Sequence, residues 1–419
     1  MVTVARLLTP PEFVSKLDQH VAGQGIAKRR LATAVYRHYL GLRLREHGGR
    51  DAQDLGPQHQ LLLGPTGVGK SYLVKCIARL VGVPTAFTAA TSLVETGYVG
   101  APVESVFAAL LDQAGGDVAL AEQGIVFLDE FDKLRRARDV GRDVSGEGVQ
   151  NGLLTLLDGR PVHVRQRDRE VRIDSSRVLF LCTGAFAGLD DVVRRRLERV
   201  GPGALGFTGA QRAVERWGEA ELMAQARPED LVEYGIIPEL VGRFAGIVPL
   251  QALTRADLGR ILSDVSGSPL GAQERLFELH GVKLEVTSDA RGALVERAMA
   301  QGAGARALRR VVHEAFAELE FRLPRLVEQG VGAVRVTRAV LEGRGRLELI
   351  PRRVLRDWSE PIPSASQLCI GSPATPRRSA ALERGWARPA RVEAKPTERR
   401  RKVRARPATP GPTLFDAKS

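Results

Sequence analysis

Eight consecutive residues, Gly64-Pro65-Thr66-Gly67-Val68-Gly69-Lys70-Ser71, have the composition and order of a loop that holds phosphate. Glycines let successive backbone N–H groups curl around phosphate oxygens, and a helix starting at the end of the loop adds its partial positive charge. Lys70 is placed to reach the β and γ phosphates, and the Ser71 hydroxyl to ligate magnesium, with Tyr72 next on the same helix. A second element, Ile125-Val126-Phe127-Leu128-Asp129-Glu130, begins further along the chain. An apolar strand that ends in two carboxylates sets Asp129 to hold magnesium through water and Glu130 to activate the attacking water. A third apolar run, Val178-Leu179-Phe180-Leu181, ends at Cys182-Thr183, where the Thr183 hydroxyl falls between the carboxylates and a γ-phosphate.

These groups need a scaffold, and the texture around them supplies one. The runs at 61–63, 125–128 and 178–181 are short, continuous and apolar, as strands buried on both faces of a parallel sheet are. Helical patterns intervene from about residue 55 to 250, which reads as α/β with crossover connections. From 252 to 325 the pattern is mainly helical. Thr254 precedes Arg-Ala-Asp-Leu-Gly-Arg-Ile-Leu as an N-cap, and Thr287-Ser288 precede another amphipathic stretch. Residues 333–350 alternate like a strand or two. The expected organisation is an α/β large domain over 1–251, a small, mostly helical domain over 252–351, and a tail over 352–419.

The tail holds nine of the 23 prolines and sixteen Lys/Arg against six Asp/Glu, so it carries +10 of the net +13. The other 351 residues therefore carry +3. Basicity is a property of the tail, which reads as disordered because its sparse apolar residues cannot offset the entropy of ordering it. Such a tail can take nucleic acid or acidic partners through charge. Overall 43% hydrophobic and 26% charged residues exclude wholesale disorder. Residues 80–94, uncharged and partly apolar, are too few to span a bilayer, and the N-terminus lacks the pattern of a signal peptide. The cysteines Cys76, Cys182 and Cys369 form no C-x-x-C pair, which argues against a disulfide scaffold or a thiolate zinc site. A reducing, cytoplasmic setting without zinc or membrane is expected.

From about Leu8 to Leu349 the chain resembles the AAA+ ATPases, and within them the ClpX family of unfoldases. The resemblance is carried by Gly97-Tyr98-Val99-Gly100, Leu128-Asp129-Glu130-Phe131-Asp132-Lys133, Arg142-Asp143-Val144-Ser145-Gly146-Glu147-Gly148-Val149-Gln150, Thr183-Gly184-Ala185-Phe186-Ala187-Gly188-Leu189, Gly235-Ile236-Ile237-Pro238-Glu239-Leu240-Val241-Gly242-Arg243 and Gly304-Ala305-Arg306. It implies an AAA+ P-loop large domain with a parallel sheet, a small helical C-terminal AAA+ domain, and ATP with magnesium as ligands. Val21-Ala22-Gly23-Gln24 matches the segment that packs on adenine. Arg243 matches the arginine finger that reaches a neighbouring subunit's nucleotide, so a homo-hexamer follows. Arg306 matches a second arginine sensor acting in cis. Tyr98-Val99 matches the pore loop that grips a polypeptide, and residues 135–144 a second, basic pore loop.

Departures from the family limit what carries over. The N-terminal zinc domain is missing from the pattern, and the substrate-recruiting loop is reduced to the short basic stretch at 160–169. The pore loop continues Gly100-Ala101-Pro102, where the family has acidic residues. Leu205-Gly206-Phe207 stands where the family has the Ile-Gly-Phe tripeptide that docks a ClpP-type peptidase. The reading is an ATP-driven protein unfoldase and translocase feeding a ClpP-type peptidase. Two alternatives stay open: a stand-alone remodelling chaperone, and a nucleic-acid-associated motor using the basic tail.

Overall fold

The computed structural model of this chain describes residues 7–47, 56–94, 101–136, 146–166, 169–200, 217–302 and 304–352. Its centre is a five-stranded, all-parallel sheet in the order β2-β5-β8-β1-β9. The strands are β1 (Gln60–Leu63), β2 (Thr85–Ala89), β5 (Ile125–Asp129), β8 (Leu179–Gly184) and β9 (Gly246–Pro249). Short paired strands β3 (Leu93–Val94) and β4 (Ala101–Pro102), and the antiparallel pair β6 (Pro161–Gln166) and β7 (Arg169–Asp174), lie between them in sequence.

Alternate residues of the central strands go to opposite faces. Leu61, Leu63, Val126, Leu128, Phe180 and Cys182 join one apolar core with the helices Ser105–Gln113 and Glu147–Leu157. Leu62, Ile125, Phe127, Leu179 and Leu181 join another with the helices Pro10–Asp18, Gly25–Glu46 and Lys70–Val81. Both faces are covered, which is why these strands read as continuous apolar runs rather than alternating ones. Burying a Leu or Phe in such a core contributes about 1.5–3 kcal/mol per side chain.

A third core gathers residues from Leu258 to Val336. It unites the helices Arg255–Ser263, Pro269–Leu279, Ser288–Ala300 and Ala305–Glu328 with a sheet of β10 (Lys283–Val286), β11 (Val331–Val336) and β12 (Glu348–Pro351). Thr254 caps the first of these helices by accepting from the Asp257 N–H, while Asp257 accepts back from Thr254 N, a reciprocal box. Among its described residues the region has three strands where a strand or two is expected, because β10 is a four-residue parallel partner of β11. The basic stretch at 160–169 is not a plain loop either. Residues 161–166 and Arg169 enter the β6–β7 ribbon, with Val162, Val164 and Ile173 turned into the first core.

Among the described residues, no helix is long and apolar enough to cross a membrane. Tyr98, Val99, residues 137–145, the Leu205-Gly206-Phe207 tripeptide and the tail from 353 lie outside the described residues.

Candidate active site

Strand order decides where chemistry can gather. β1 lies between β8 and β9, and the chain leaves it for β2 at the far edge, so a crevice opens at the carboxyl ends of the strands there. The 64–71 loop leaves β1 at that end, and Leu62 pairs with Thr183 across β8. On the other side of β8, Leu128 pairs with Cys182, which carries Asp129 alongside Thr183.

The side chains meet as that register requires. Ser71 Oγ donates to Asp129 Oδ2 at 2.6 Å, and Thr183 Oγ1 donates to Asp129 Oδ1, also at 2.6 Å. The Glu130 N–H adds a third donation to Oδ1 at 2.9 Å. Burial works against the Asp129 charge, but these donors and the Lys70 ammonium outweigh it and hold the carboxyl below its ordinary value. Lys70 Nζ donates to the carbonyls of Gly64 at 2.5 Å and Pro65 at 2.9 Å. Burial pulls the Lys70 ammonium down from its ordinary value, with Asp129 and Asp132 resisting. Glu130 is half-way between strand and helix, with φ 57° and ψ 33°, a left-handed conformation that non-glycine residues seldom hold. Its Oε2 accepts from Thr91 Oγ1 at 3.1 Å. Strain of this kind collects at working sites because surrounding structure sustains it.

Gly64 is required by space. A Cβ there would stand 2.9 Å from the Leu250 carbonyl, and its φ is +150°. The loop is thereby pressed against the end of β9, where the Leu250 N–H donates to Leu63 O.

A cavity of about 510 Å³ opens over this cluster. Thr66, Gly67, Val68, Gly69, Lys70, Ser71 and Tyr72 line it, together with Asp129, Glu130 and Arg306. Val21 and Ala22 contribute apolar lining with Leu253, Ile261 and Val265. Gly23 and Gln24 stand behind that wall. Gln24 exchanges two hydrogen bonds with the backbone of Gln251, at 2.8 and 3.0 Å, and a Cβ on Gly23 would meet the Asp257 carboxylate at 2.7 Å. Val21 is fixed by Lys28, a buried ammonium that donates to Val21 O at 2.5 Å and to Asp18 at 2.6 Å.

Sequence reasoning missed His20, Lys75, Asp132 and Arg309 in the lining. Arg309 is one turn from Arg306 on the helix Ala305–Glu328, a spacing that places both on one face. Asp132 is buried, and its Oδ1 accepts from the Ala185 N–H at 3.1 Å, tying the turn after β5 to the end of β8. Arg243 does not line the cavity. It is half exposed, and its Nε lies 2.6 Å from Asp158 Oδ1.

An apolar wall beside a lysine, a hydroxyl–carboxylate pair and two arginines suits a purine nucleotide with its phosphates. The oxygen donors of Ser71 and Asp129 also fit magnesium, a hard cation that takes few protein ligands and keeps waters. The family described as AAA domain (Cdc48 subfamily) matches residues 58–247, and the family of the C-terminal, D2-small domain of ClpB protein matches residues 253–323. The ATP-dependent Clp protease ATP-binding subunit ClpX of Azotobacter vinelandii is 38% identical over 382 residues, covering 84% of this chain and 86% of that protein. ClpX 3 of Methylococcus capsulatus is 38% identical, covering 75% of this chain and 76% of the relative. The ClpX subunit of Treponema denticola is 39% identical, covering 75% and 77%.

Proposed function

The chain belongs to the ClpX family of AAA+ ATPases, and on that premise we propose that it is the motor of a hexameric ring that unfolds proteins and threads them to a ClpP-type peptidase. The observation that carries the reading is the Ser71–Asp129–Thr183 hydrogen-bonded cluster under a cavity walled by both the central sheet and the helix that bears Arg306. The relatives named above are ATP-binding subunits of an ATP-dependent protease, which supports a separate peptidase as partner.

In this reading, residues 1–251 form the large ATPase domain, 252–351 the small one, and 352–419 an appended basic tail. Lys70 leaves the Gly64 and Pro65 carbonyls for the phosphates, to which the loop N–H groups also donate. Ser71 and Asp129 hold magnesium, which neutralises charge on the phosphates when bound. Glu130 orients the attacking water, and Thr183 fixes the Asp129 carboxylate in place. Arg243 from the next protomer stabilises the charge that develops on the transferring phosphoryl group. Arg306 reports the nucleotide to the small domain. Tyr98 and Val99 grip the substrate chain, and Leu205, Gly206 and Phe207 dock the peptidase.

Glu130→Gln tests the chemistry. It should bind ATP as the parent does and hydrolyse it about 10²- to 10⁴-fold more slowly; near-parent turnover overturns the assignment. Turnover of the parent with an unfolded polypeptide, and separately with DNA, tests the substrate class. Stimulation by DNA alone would replace the unfoldase reading with a nucleic-acid motor.

A further inference from the structure

The turn that carries Glu130 and the segment that carries Arg243 are fastened to each other within one chain. Glu130 opens the 3-10 helix Phe131–Leu134, and Arg243 follows the short helix Pro238–Val241. Phe131 and Phe244, each the residue after one of these two, meet edge to face with centroids 5.6 Å apart. The Arg136 N–H donates to the Gly235 carbonyl at 3.1 Å.

Gln150 joins the same pieces. It lies in the first turns of the helix Glu147–Leu157 and is 0% exposed. Its Nε2 donates to the Leu134 carbonyl at 2.6 Å and to the Gly235 carbonyl at 3.2 Å, while its Oε1 accepts from the Ile237 N–H at 2.8 Å. Both donors and one acceptor site of the amide are therefore engaged, in a place where an unmade hydrogen bond is costly. The other end of that helix closes on Asp158, whose carboxylate pairs with Arg243. One helix thus touches the Glu130 turn through its start and the arginine through its end.

We infer that Gln150 is a positioning residue that locks the placement of Arg243 to that of Glu130, so that a protomer's own hydrolysis site sets how it offers its arginine to the neighbour. The inference rests on the proposed trans role of Arg243. A low-dielectric, fully satisfied amide is stiff enough for this, since its geometry cannot relax without stranding a buried partner.

Mixed rings test it. Glu130→Gln chains are nearly silent in hydrolysis but still offer Arg243, and Arg243→Ala chains keep an intact site but offer no arginine. Mixed together, they should recover ATP turnover at the junctions where an intact site receives an intact arginine. Gln150→Met is then placed in the Glu130→Gln chain, whose own site is already nearly silent. The recovered kcat should fall at least about tenfold with KM for ATP within about twofold, as for a misplaced catalytic group. Gln150→Glu, which burial favours as the neutral acid able to donate once and accept once, should restore most of the loss. Recovery with Gln150→Met equal to the parent mixture overturns the inference alone. So does a loss of ring assembly or of fluorescent ATP-analogue binding that accounts for the whole fall, because Gln150 would then be ordinary structure. Failure of the parent mixture to recover turnover overturns the trans arginine, and the inference with it.

Discussion

Gly304→Ala is the sharpest test of how the cavity is held together. Gly304 precedes the helix Ala305–Glu328 with φ 55° and ψ −136°, a combination that a residue with a Cβ pays to adopt. An added Cβ would stand 2.7 Å from the Gly67 carbonyl oxygen, closer than such atoms approach. The next residue, Ala305, donates its N–H to that same oxygen at 3.1 Å. The methyl group therefore forces the phosphate loop and the helix start apart, and the helix carries Arg306 and Arg309 away from the cavity they line. Strain of about 1–3 kcal/mol and a lost hydrogen bond of about 1 kcal/mol sum to roughly 2–4 kcal/mol against the docked arrangement. Expressed in binding, this is about a 30-fold to 1,000-fold weaker dissociation constant for ATP. Titration of a fluorescent ATP analogue with magnesium into the full chain reads it directly. Gly302→Ala is the control, because Gly302 also has a positive φ, +64°, but has open space where the Cβ would go. Equal dissociation constants for the two variants would refute the reasoning, since of the two only Gly304 would press a Cβ against the Gly67 carbonyl.

Two further predictions concern stability. His38 is buried with Nε2 facing the Arg177 carbonyl at 3.1 Å, and burial, then the proximity of His59, pushes it down to about 3; burial pushes His59 to about 4. Both folded values lie below the ordinary 6.5, so the unfolded chain binds more protons as pH falls from 6.5 toward 4, and stability should drop across that window by up to about 1.4 kcal/mol per pH unit per histidine. His38→Gln keeps the donation to Arg177 but cannot titrate, and should flatten the pH dependence of the thermal midpoint; an unchanged slope counts against the assignment. Arg196 grips both oxygens of the buried Asp230, at 2.7 and 2.9 Å, so Arg196→Met strands a charge and should cost about 3 kcal/mol in urea unfolding. A cost under about 1 kcal/mol would mean that Asp230 is satisfied without it.

The legible parts of this chain are those where one physical demand dominates a short stretch. β1, β5 and β8 are buried on both faces, so their apolar runs could be read directly. The 64–71 loop and the Asp129-Glu130 pair advertise themselves by residue type. Asp132 stood out only as part of the 128–133 stretch, with no role of its own, because its contact with the Ala185 N–H comes from the end of a strand more than fifty residues away. Gln24 looks like a nucleotide contact in sequence, yet its left-handed backbone, φ 56°, turns the amide toward Gln251 behind the cavity wall. β6 and β7 were hidden by their arginines, which mask the inward period of Val162, Val164 and Ile173. Arg243 was singled out only through resemblance, since nothing in its own stretch of sequence separates it from other arginines, and its ion pair with Asp158 could not be read there.

The way the cavity is walled also bears on how binding becomes motion. Its apolar lining draws on one sheet-face core, through Val21 and Val68, and on the third core, through Leu253 and Ile261, yet the described contacts between the third core's elements and the rest include single hydrogen bonds: Ala305 N–H to Gly67 O, and Ser266 N–H to Gln19 O. Each such bond contributes about 1 kcal/mol net, whereas every core holds many side chains worth about 1.5–3 kcal/mol each. The cores should therefore move as units, with the junction between them the soft place. A nucleotide held with a micromolar dissociation constant releases about 8 kcal/mol, more than those junction bonds together. Binding, hydrolysis and release can then reset the junction without disturbing any core, provided that the two nucleotide states differ in their contacts to Arg306 and Arg309. Removing both arginines should leave ATP-independent folding intact and make the junction indifferent to nucleotide. Hydrogen exchange at the start of the helix Ala305–Glu328 would show this, as protection there that no longer changes when ATP is added; a change that persists would place the sensing elsewhere in the cavity.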